Sequence, residues 1–273
     1  MPVVGCRCAV CQSTDAHDKR LRTSALLEWR GVKLLIDAGP DLRQQLLRAH
    51  VSHLDGILLT HEHKDHIGGL DDVRALNFVD YPTVHPTDLY ATARTLQTVK
   101  KDFDYAFVAD KYRGVPEIRL HTIAQSEPFR IGPAYVIPVA GHHSSRFEVT
   151  GFRFGRLAYL TDFKSIEETE LRKLKGVEVL VVNALRFEEH DSHFNVEEAL
   201  ALIEKVAPKK AYLTHMSHEI GFYEEANKRL PEGVELAYDT LEIEYASTGL
   251  LIYDLFKDMD EFTAEEKELI GLS

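Results

Sequence analysis

The 273-residue sequence is short of three things: long apolar runs, positive charge and cysteine. No apolar stretch approaches the length that spans a bilayer, and no basic segment followed by an apolar one opens the chain. We therefore expect a cytoplasmic protein with no signal peptide and no membrane partner. Lys and Arg number 32 against 44 Asp and Glu, which gives a net charge of −12. Because non-specific binding to nucleic acid depends on cations that neutralise phosphates, this charge argues against a nucleic acid partner.

Cysteine is confined to Cys6, Cys8 and Cys11. A disulfide between such close neighbours would be strained and would leave one thiol over. A single tetrahedral zinc explains the spacing better, and it needs a fourth ligand, which we expect to be a His near the chemistry. A redox thiol cluster and plain exposed cysteines are the alternatives.

Apolar residues are plentiful enough for a core. They make up 44% of the chain, which fits one large α/β domain or two small ones, and no linker is visible. A β-hairpin is predicted around Arg30-Gly31, and a helix is predicted after Pro40. Periodicity predicts further strands over 55–59, 83–85, 134–139, 152–154, 157–160, 177–182, 211–214 and 234–238, and helices over 67–78, 88–101, 196–206 and 222–230.

The densest functional pattern is the run Thr60-His61-Glu62-His63-Lys64-Asp65-His66, which directly follows the apolar run 56–59. Imidazole and carboxylate together suit Zn, Mn or Fe. Two histidines at i and i+2 on an extended turn point the same way, and Asp65 and His66 can reach a second metal from the next turn. The run therefore predicts a two-metal site, with a polar surface loop as the alternative.

The later strands repeat this arrangement, because a metal-type residue follows each of them. These residues are His142 or His143, Asp162, His193 and His215. Any one of them alone is more often a core or surface residue than a ligand. Together with the dense cluster, they favour one shared metal site.

Two regions carry weaker patterns. Residues 80–130 are the least patterned part and are interpreted as a lid-like insertion over the site, with an ordinary helix and loop whose aromatic residues lie in the core as the alternative. Residues 247–273 are predicted as a peripheral acidic tail, with a helix near 263–270.

The run from His61 to His66 matches the H-x-H-x-D-H signature of the metallo-β-lactamase superfamily. A single His, Asp162 after a strand and the late His215 follow in the superfamily's order. The resemblance covers about residues 20–245. It implies an α/β fold of four layers, an αββα metallo-β-lactamase sandwich, and a single hydrolase domain over residues 1–273.

A narrower resemblance rests on the cysteines joined to His215-x-x-His218. These residues look like the phosphodiesterase branch that includes the phosphoribosyl cyclic-phosphate phosphodiesterase of the carbon-phosphorus lyase pathway. The resemblance implies a structural zinc held by Cys6, Cys8, Cys11 and His218. It also implies that His193 lies near the substrate phosphate.

The superfamily resemblance implies a division of the ligands between two metals, Zn or Mn, with Asp65 as a catalytic residue. The branch resemblance adds His193 as a second catalytic residue that protonates the leaving oxygen or holds a phosphate oxygen, with a capping or packing histidine as the alternative. The ligand set is His61, His63 and His143 for one metal, Asp65, His66 and His215 for the other, and Asp162 as the bridge. Asp37 and Asp71 are candidates to orient the ligand imidazoles. The expected reaction is hydrolysis of a small cyclic or diester phosphate by a hydroxide that bridges the metals. A non-hydrolytic relative of the quinone-cofactor biosynthesis type and a tRNA 3′-end-type nuclease are the alternatives.

The sequence departs from that branch at its start. The branch normally has a strand and a Gly/Thr/Ser-rich loop ahead of the cysteines, whereas this chain begins Met1-Pro2-Val3-Val4. Either the start is truncated or another part of the chain or a partner covers the exposed sheet edge, which raises the expectation of a homodimer. The third His ligand is also ambiguous. His143 is favoured over His142, from its distance to the strand at 137–139 and because Ser144 follows it.

Overall fold

The computed structural model describes residues 1–29 and 31–244, and these form two compact units. Unit 1 comprises Met1–Leu21, Gln125–Pro128 and the described residues from Tyr135 onward, and unit 2 comprises Arg22–Ala124 and Phe129–Ala134. Arg30 of the predicted hairpin turn and the predicted acidic tail at 247–273, with its helix, lie outside the described residues. No helix in the described part of the chain is long and apolar enough to cross a membrane.

Unit 2 is built on a five-stranded sheet. Its strands, in spatial order, are β1 (Ala25–Trp29), β2 (Val32–Ile36), β3 (Gly56–Leu58), β4 (Thr87–Ala91) and β5 (Ile118–Thr122). The first pair is antiparallel, which confirms the predicted hairpin, and the other neighbours are parallel. A further short strand, β6, covers Phe129–Ile131. The carboxyl ends of β2, β3 and β4 share one edge of the sheet, so the loops that follow them are close together.

Unit 1 has its own mixed sheet. Its strands are β7 (Ala134–Ser144), β8 (Phe147–Phe154), β9 (Leu157–Leu160), β10 (Val179–Asn183), β11 (Lys210–Thr214) and β12 (Val234–Leu236). The spatial order of these strands is β12-β11-β10-β9-β8-β7. The pairs β7–β8 and β8–β9 are antiparallel, and the pairs from β9 to β12 are parallel. Every residue of β10 is buried, as its apolar run predicts for a central parallel strand.

The α-helices are short, and eight lie in the described residues. In chain order they are α1 (Ala9–Gln12), α2 (Leu42–Arg48), α3 (Lys64–Ile67), α4 (Arg74–Asn77), α5 (Ala93–Asp102), α6 (Glu168–Leu171), α7 (Val196–Val206) and α8 (Tyr223–Asn227). Single 3-10 turns cover Ala16–Asp18, Leu70–Val73, Asp104–Ala106, Arg172–Leu174 and His218–Ile220. The predicted helices after Pro40 and over 196–206 are confirmed.

Three sequence predictions of local structure were wrong. The predicted helix over 67–78 is broken into α3, a 3-10 turn and α4, because Gly69 packs against the backbone of Gly39. The helix predicted over 88–101 begins only at Ala93, since residues 87–91 form β4 between two parallel strands and Thr92 caps the helix. The strand predicted over 83–85 is absent, because these residues precede β4 as a turn and loop.

The segment 80–130 supplies β4, α5 and β5 to unit 2. Leu89, Leu96 and Val99 from this segment are buried in the apolar core of the unit, with Phe103 packed beside them. These parts of the segment therefore form the framework of the sheet. A lid role for the rest of the segment stays a prediction.

Candidate metal centres

In unit 2 the histidine-rich loop begins where β3 ends. The Asp37 carboxylate, which is completely buried, organises this loop by accepting three kinds of donor. The Thr60 amide donates to it at 2.8 Å, the Thr60 hydroxyl at 2.9 Å, and Nδ1 of His66 at 2.7 Å. The predicted role of Asp37 as an acceptor for an imidazole is therefore seen at His66.

The same chain of hydrogen bonds orients His61. Because the Thr60 hydroxyl donates to Asp37, its oxygen is left to accept from Nδ1 of His61, 3.0 Å away. A proton on Nδ1 places the lone pair on Nε2, where a metal can bind it. This Nε2 atom lies 2.9 Å from Nδ1 of His63, so two ring nitrogens converge on one point. Their chemistry fits a divalent cation.

Glu62, between those two histidines, fixes the loop to helix α5. Nε of Arg94 donates to one of its carboxylate oxygens at 2.6 Å, and the Thr95 hydroxyl donates to the other at 3.3 Å. The Glu62 side chain is mostly buried. It therefore braces the histidine loop, a role that the sequence did not reveal.

The turn after the histidines packs tightly on the loop that follows β2. The amide of Ala38 donates to the carbonyl of His66 at 2.7 Å, and the amide of Gly69 donates to the carbonyl of Ala38 at 2.8 Å. A Cβ on Gly39 would lie 2.1 Å from the carbonyl oxygen of Asp65, which no side chain tolerates. Glycine at 39 therefore allows the approach that brings Asp37 to His66.

In unit 1 the Asp162 carboxylate, which is fully buried, lies between two histidines. Its Oδ1 atom is 2.9 Å from Nε2 of His193 and 3.3 Å from Nε2 of His215. The two histidine rings are stacked, with centroids 5.1 Å apart. Three predicted site residues are thus brought together within one unit.

The backbone at these positions is strained. Asp37 and Asp162 have φ of 63° and His215 has φ of 57°, in the left-handed region that non-glycine residues seldom adopt. Such strain is found where function requires a side chain in an unusual place. Asp37 and His215 directly follow β2 and β11, and Asp162 lies two residues beyond the end of β9, so the chain turns sharply at each of these strand ends.

Parallel pairing explains why the unit 1 residues meet. Strands β9, β10 and β11 run side by side, with Leu160 opposite Val182 and Asn183 opposite Thr214. Their carboxyl ends therefore share one edge. The Asn183 side chain accepts from the amide of Phe163 at 2.7 Å and donates to its carbonyl at 2.9 Å, which holds the loop beyond Asp162.

The two neighbouring histidines at the end of β7 differ in their surroundings. His142 is exposed, whereas His143 is buried and its Nδ1 donates to the carbonyl of Ser192 at 2.7 Å. The lone pair of His143 is therefore on Nε2, and the residue offers a ligand atom near those of Asp162 and His193. This geometry favours His143, as the sequence did, and its role as a ligand stays a prediction.

Asp71 makes a different contact from the one predicted. Its carboxylate accepts from the hydroxyl of Tyr105. Burial raises the pKa of that phenol, and the hydrogen bond to Asp71 raises it further. The predicted role of Asp71 in orienting an imidazole stays a prediction.

The three cysteines and His218 converge in unit 1. All four ligand atoms lie within 4.8 Å of one another. Nδ1 of His218 is 3.3 Å from Sγ of Cys8 and 3.7 Å from Sγ of Cys6. Zinc bonds of about 2.3 Å to sulfur and about 2.0 Å to nitrogen place such atoms roughly 3.5 Å apart in a tetrahedron. The donor set and its spacing fit a structural zinc.

The thiols of this cluster differ in acidity. The backbone amide of Cys11, which donates to Sγ of Cys8 at 3.4 Å, and the imidazole of His218 lower the pKa of Cys8 to about 6. Burial raises the pKa of Cys11. At neutral pH, therefore, Cys8 already carries the thiolate that zinc binds.

Comparison with known proteins places this geometry in context. A family model described as a beta-lactamase superfamily domain matches residues 33–216. A crystal structure described as a new diphosphatase from the PhnP family is similar with a TM-score of 0.82 and 40% identity, over 89% of this chain and 91% of that one. The structure of Zn²⁺-bound PqqB from Methylobacterium extorquens has a TM-score of 0.69 and 22% identity, over 89% and 95% of the two chains, and shows the fold alone.

Among curated proteins, the chain is 38% identical over 256 residues to an octanoyltransferase of Porphyromonas gingivalis. The match covers 93% of this chain and 51% of that protein. The chain thus spans about half the length of this relative.

Proposed function

The chain belongs to the beta-lactamase superfamily, and from this premise we propose that it is a metal-dependent phosphodiesterase that hydrolyses a small cyclic or diester phosphate. The observation that carries the proposal is that three imidazoles have the same orientation of their ring nitrogens. His61, His66 and His143 each give their Nδ1 proton to an oxygen acceptor, which leaves Nε2 to bind a metal. Buried histidines that serve only packing have no need of this common orientation.

We assign the ligands as the sequence motif suggests. One divalent cation would be held by His61, His63 and His143. The second would be held by Asp65, His66 and His215, and Asp162 would bind both cations. Zn and Mn suit these ligand types. When bound, two such cations would lower the pKa of a water molecule and neutralise charge on a phosphoryl group.

The chain's own residues supply the rest of the chemistry. His193, with Nε2 directed at Asp162, would donate a proton to the leaving oxygen. Asp37 holds the ring of His66, and Glu62 braces the loop of His61 and His63. The chain needs no nucleophilic side chain for this reaction.

The choice of a phosphoric ester rests on similarity. The structure that is 40% identical is described as a diphosphatase of the PhnP family, and a diphosphatase also breaks a phosphorus–oxygen bond. The cysteine cluster supports the same branch. We assign to it a structural zinc, held by Cys6, Cys8, Cys11 and His218, which would fix the loop that carries His215.

Turnover of bis-p-nitrophenyl phosphate with added Mn or Zn tests the proposal. We expect metal-dependent release of nitrophenol that falls by at least about 100-fold in His61→Ala, since that variant loses a metal ligand. His142→Ala, which changes an exposed histidine of the same chain, is the matched control and should keep full activity.

Two other outcomes would overturn the assignment. Absence of turnover in protein with bound metals would favour the non-hydrolytic relative of the quinone-cofactor type. Cleavage of a tRNA precursor with no turnover of small diesters would favour the tRNA 3′-end-type nuclease, which the net charge of −12 disfavours.

A further inference from the structure

We propose that His190 is a positioning residue that accepts a hydrogen bond from Nδ1 of His193 and so holds the ring with Nε2, the nitrogen that would pass a proton to the leaving oxygen, toward the substrate. The inference rests on the proposed function, in which His193 is the proton donor. His190 lies three residues before His193 on the loop between β10 and α7.

The protonation of His190 follows from its contact with the backbone. The amide of Ser192 donates to Nδ1 of His190 at 3.2 Å. An amide N–H is always a donor, so Nδ1 of His190 carries a lone pair and the proton of the neutral ring is on Nε2.

The proton of His193 follows in turn. Nδ1 of His193 lies 3.3 Å from Nδ1 of His190. Two ring nitrogens attract each other only when one of them carries a proton, and His190 Nδ1 is the acceptor. The proton between them therefore belongs to His193.

The Ser192 hydroxyl completes the arrangement. Its Oγ lies 3.0 Å from Nδ1 of His193 and 3.3 Å from Nδ1 of His190. The hydroxyl oxygen is therefore a second acceptor for the Nδ1 proton of His193. Both contacts place acceptors on the Nδ1 side of His193.

The opposite side of His193 faces the chemistry. Nε2 lies 2.9 Å from Oδ1 of Asp162, the predicted bridging ligand. The ring is also confined between aromatic neighbours, with His143 edge-on at 4.5 Å and His215 stacked at 5.1 Å between centroids. A ring flip would exchange the two nitrogens and lose the contacts with His190, Ser192 and Asp162 together.

The surroundings of His190 keep it suited to accept. Burial lowers the pKa of His190, and the nearby positive charges of His193 and Arg186 lower it further. Arg186 is held in place by a salt bridge to Glu219 and by donation to the carbonyl of Glu189. Both effects favour the neutral form of His190, whose Nδ1 can accept a hydrogen bond.

The test compares leaving groups, because a proton donor matters most when the leaving oxygen is strongly basic. The substrates are cyclic adenosine monophosphate, which releases a sugar alkoxide, and bis-p-nitrophenyl phosphate, which releases a stable phenolate. In His190→Ala we expect kcat for the cyclic nucleotide to fall by about 10- to 100-fold with KM unchanged. Turnover of the nitrophenyl ester should fall by less than about 3-fold. His190→Asn should restore most of the loss, since its amide oxygen replaces the acceptor at Nδ1.

Nitrogen NMR of the His193 ring gives a reading that does not depend on turnover. We expect a protonated Nδ1 in the parent protein and in His190→Asn, and loss of that preference in His190→Ala. An equal loss for both substrates, or an unchanged His193 tautomer in His190→Ala, would overturn the proposal.

The reference variant His193→Ala separates this proposal from the function on which it rests. If His193→Ala loses the cyclic nucleotide reaction and His190→Ala keeps it, only the role of His190 fails. If the parent protein with bound metal hydrolyses neither ester, the proposed function fails, and the NMR result still decides whether His190 sets the tautomer.

Discussion

Asp37 illustrates how one residue can govern a site without touching substrate. Its carboxylate is completely buried, and burial raises its pKa. Donors from Thr60 and His66 surround it and compensate in part for the lost water. These donors fix the tautomers of His66 and, through the Thr60 hydroxyl, of His61.

The first prediction concerns this carboxylate. Asp37→Asn replaces one acceptor oxygen by a donor that would face Thr60 or His66, so we expect metal affinity to fall by about 10- to 100-fold. Isothermal titration of the metal-free protein with Zn²⁺ measures the change. Asp88→Asn, whose carboxylate pairs with Arg119 on the same sheet, is the matched control. Equal affinities for both variants and the parent would contradict the role given to Asp37.

The second prediction concerns the acidity of the cysteines. In zinc-free protein the Cys8 pKa of about 6 means that its thiolate fraction rises through that pH, whereas Cys11, with its raised pKa, stays protonated at neutral pH. We expect iodoacetamide to alkylate Cys8 first at neutral pH, at a rate that is lost as the pH falls below about 6. Peptide mass spectrometry after timed alkylation identifies the order. Similar rates at Cys8 and Cys11 would refute it.

At the scale of elements, two backbones approach each other where the loop after β2 meets the turn after the histidines. Gly39 lies against the carbonyl of Asp65, and Gly69 lies against the carbonyl of Gly39. The hydrogen bonds of Ala38 with His66 and Gly69 complete this contact. The loop and the turn are therefore packed backbone against backbone.

The third prediction follows from this contact. Gly39→Ala forces the two backbones apart, so we expect about 1–3 kcal/mol less stability and weaker metal binding. Gly56→Ala in β3 meets the flexible side chain of Tyr90 at 3.1 Å and is the matched control, which should change stability without changing metal affinity. Denaturant unfolding and metal titration measure both. An unchanged metal affinity in Gly39→Ala would contradict the coupling.

Some elements could be predicted from sequence and others could not, for physical reasons. Helix α7 carries its own signal, since Asn195 and Glu198 form a capping box at its start, with the Glu198 amide 2.8 Å from Oδ1 of Asn195. The break at 67–70 depends on a contact with Gly39, which no neighbouring residue encodes. Strand β4 is stabilised by its two partners rather than by its own pattern.

The candidate site likewise has features that the sequence predicts and features that it does not. Residue types and spacing predicted that these imidazoles and thiols lie in clusters, and their role as metal ligands stays a prediction. The roles of Glu62 and His190 were missed, since each depends on a hydrogen bond formed by the folded backbone or by a distant helix. The strained φ angles of Asp37, Asp162 and His215 also have no local signal, although each residue follows an apolar strand.

At the scale of the whole molecule, family membership confirms the α/β metallo-β-lactamase fold that the H-x-H-x-D-H motif predicted. The cysteine cluster lies within unit 1. Loss of the zinc that we assign to this cluster should therefore loosen unit 1.

The fourth prediction tests the structural role of the zinc assigned to the cysteine cluster. Cys8→Ser should bind one equivalent less of zinc than the parent, and its thermal unfolding midpoint should fall, because a closed zinc site contributes directly to folding. Activity should weaken indirectly, through the loop that carries His215. Gln12→Ala, an exposed change at the end of α1, is the matched control. Elemental analysis measures the zinc content, and calorimetry measures the unfolding midpoint. Unchanged zinc content and stability in Cys8→Ser would contradict the structural assignment.

The contact between Cys8 and His218 spans 210 residues of chain. During synthesis at about 5–20 residues per second, the thiols leave the ribosome on the order of 10–40 seconds before the imidazole that completes their site. For that interval they are exposed to oxidants and to competing metals. We therefore expect the yield of correctly assembled protein to depend on reducing conditions and zinc supply during synthesis.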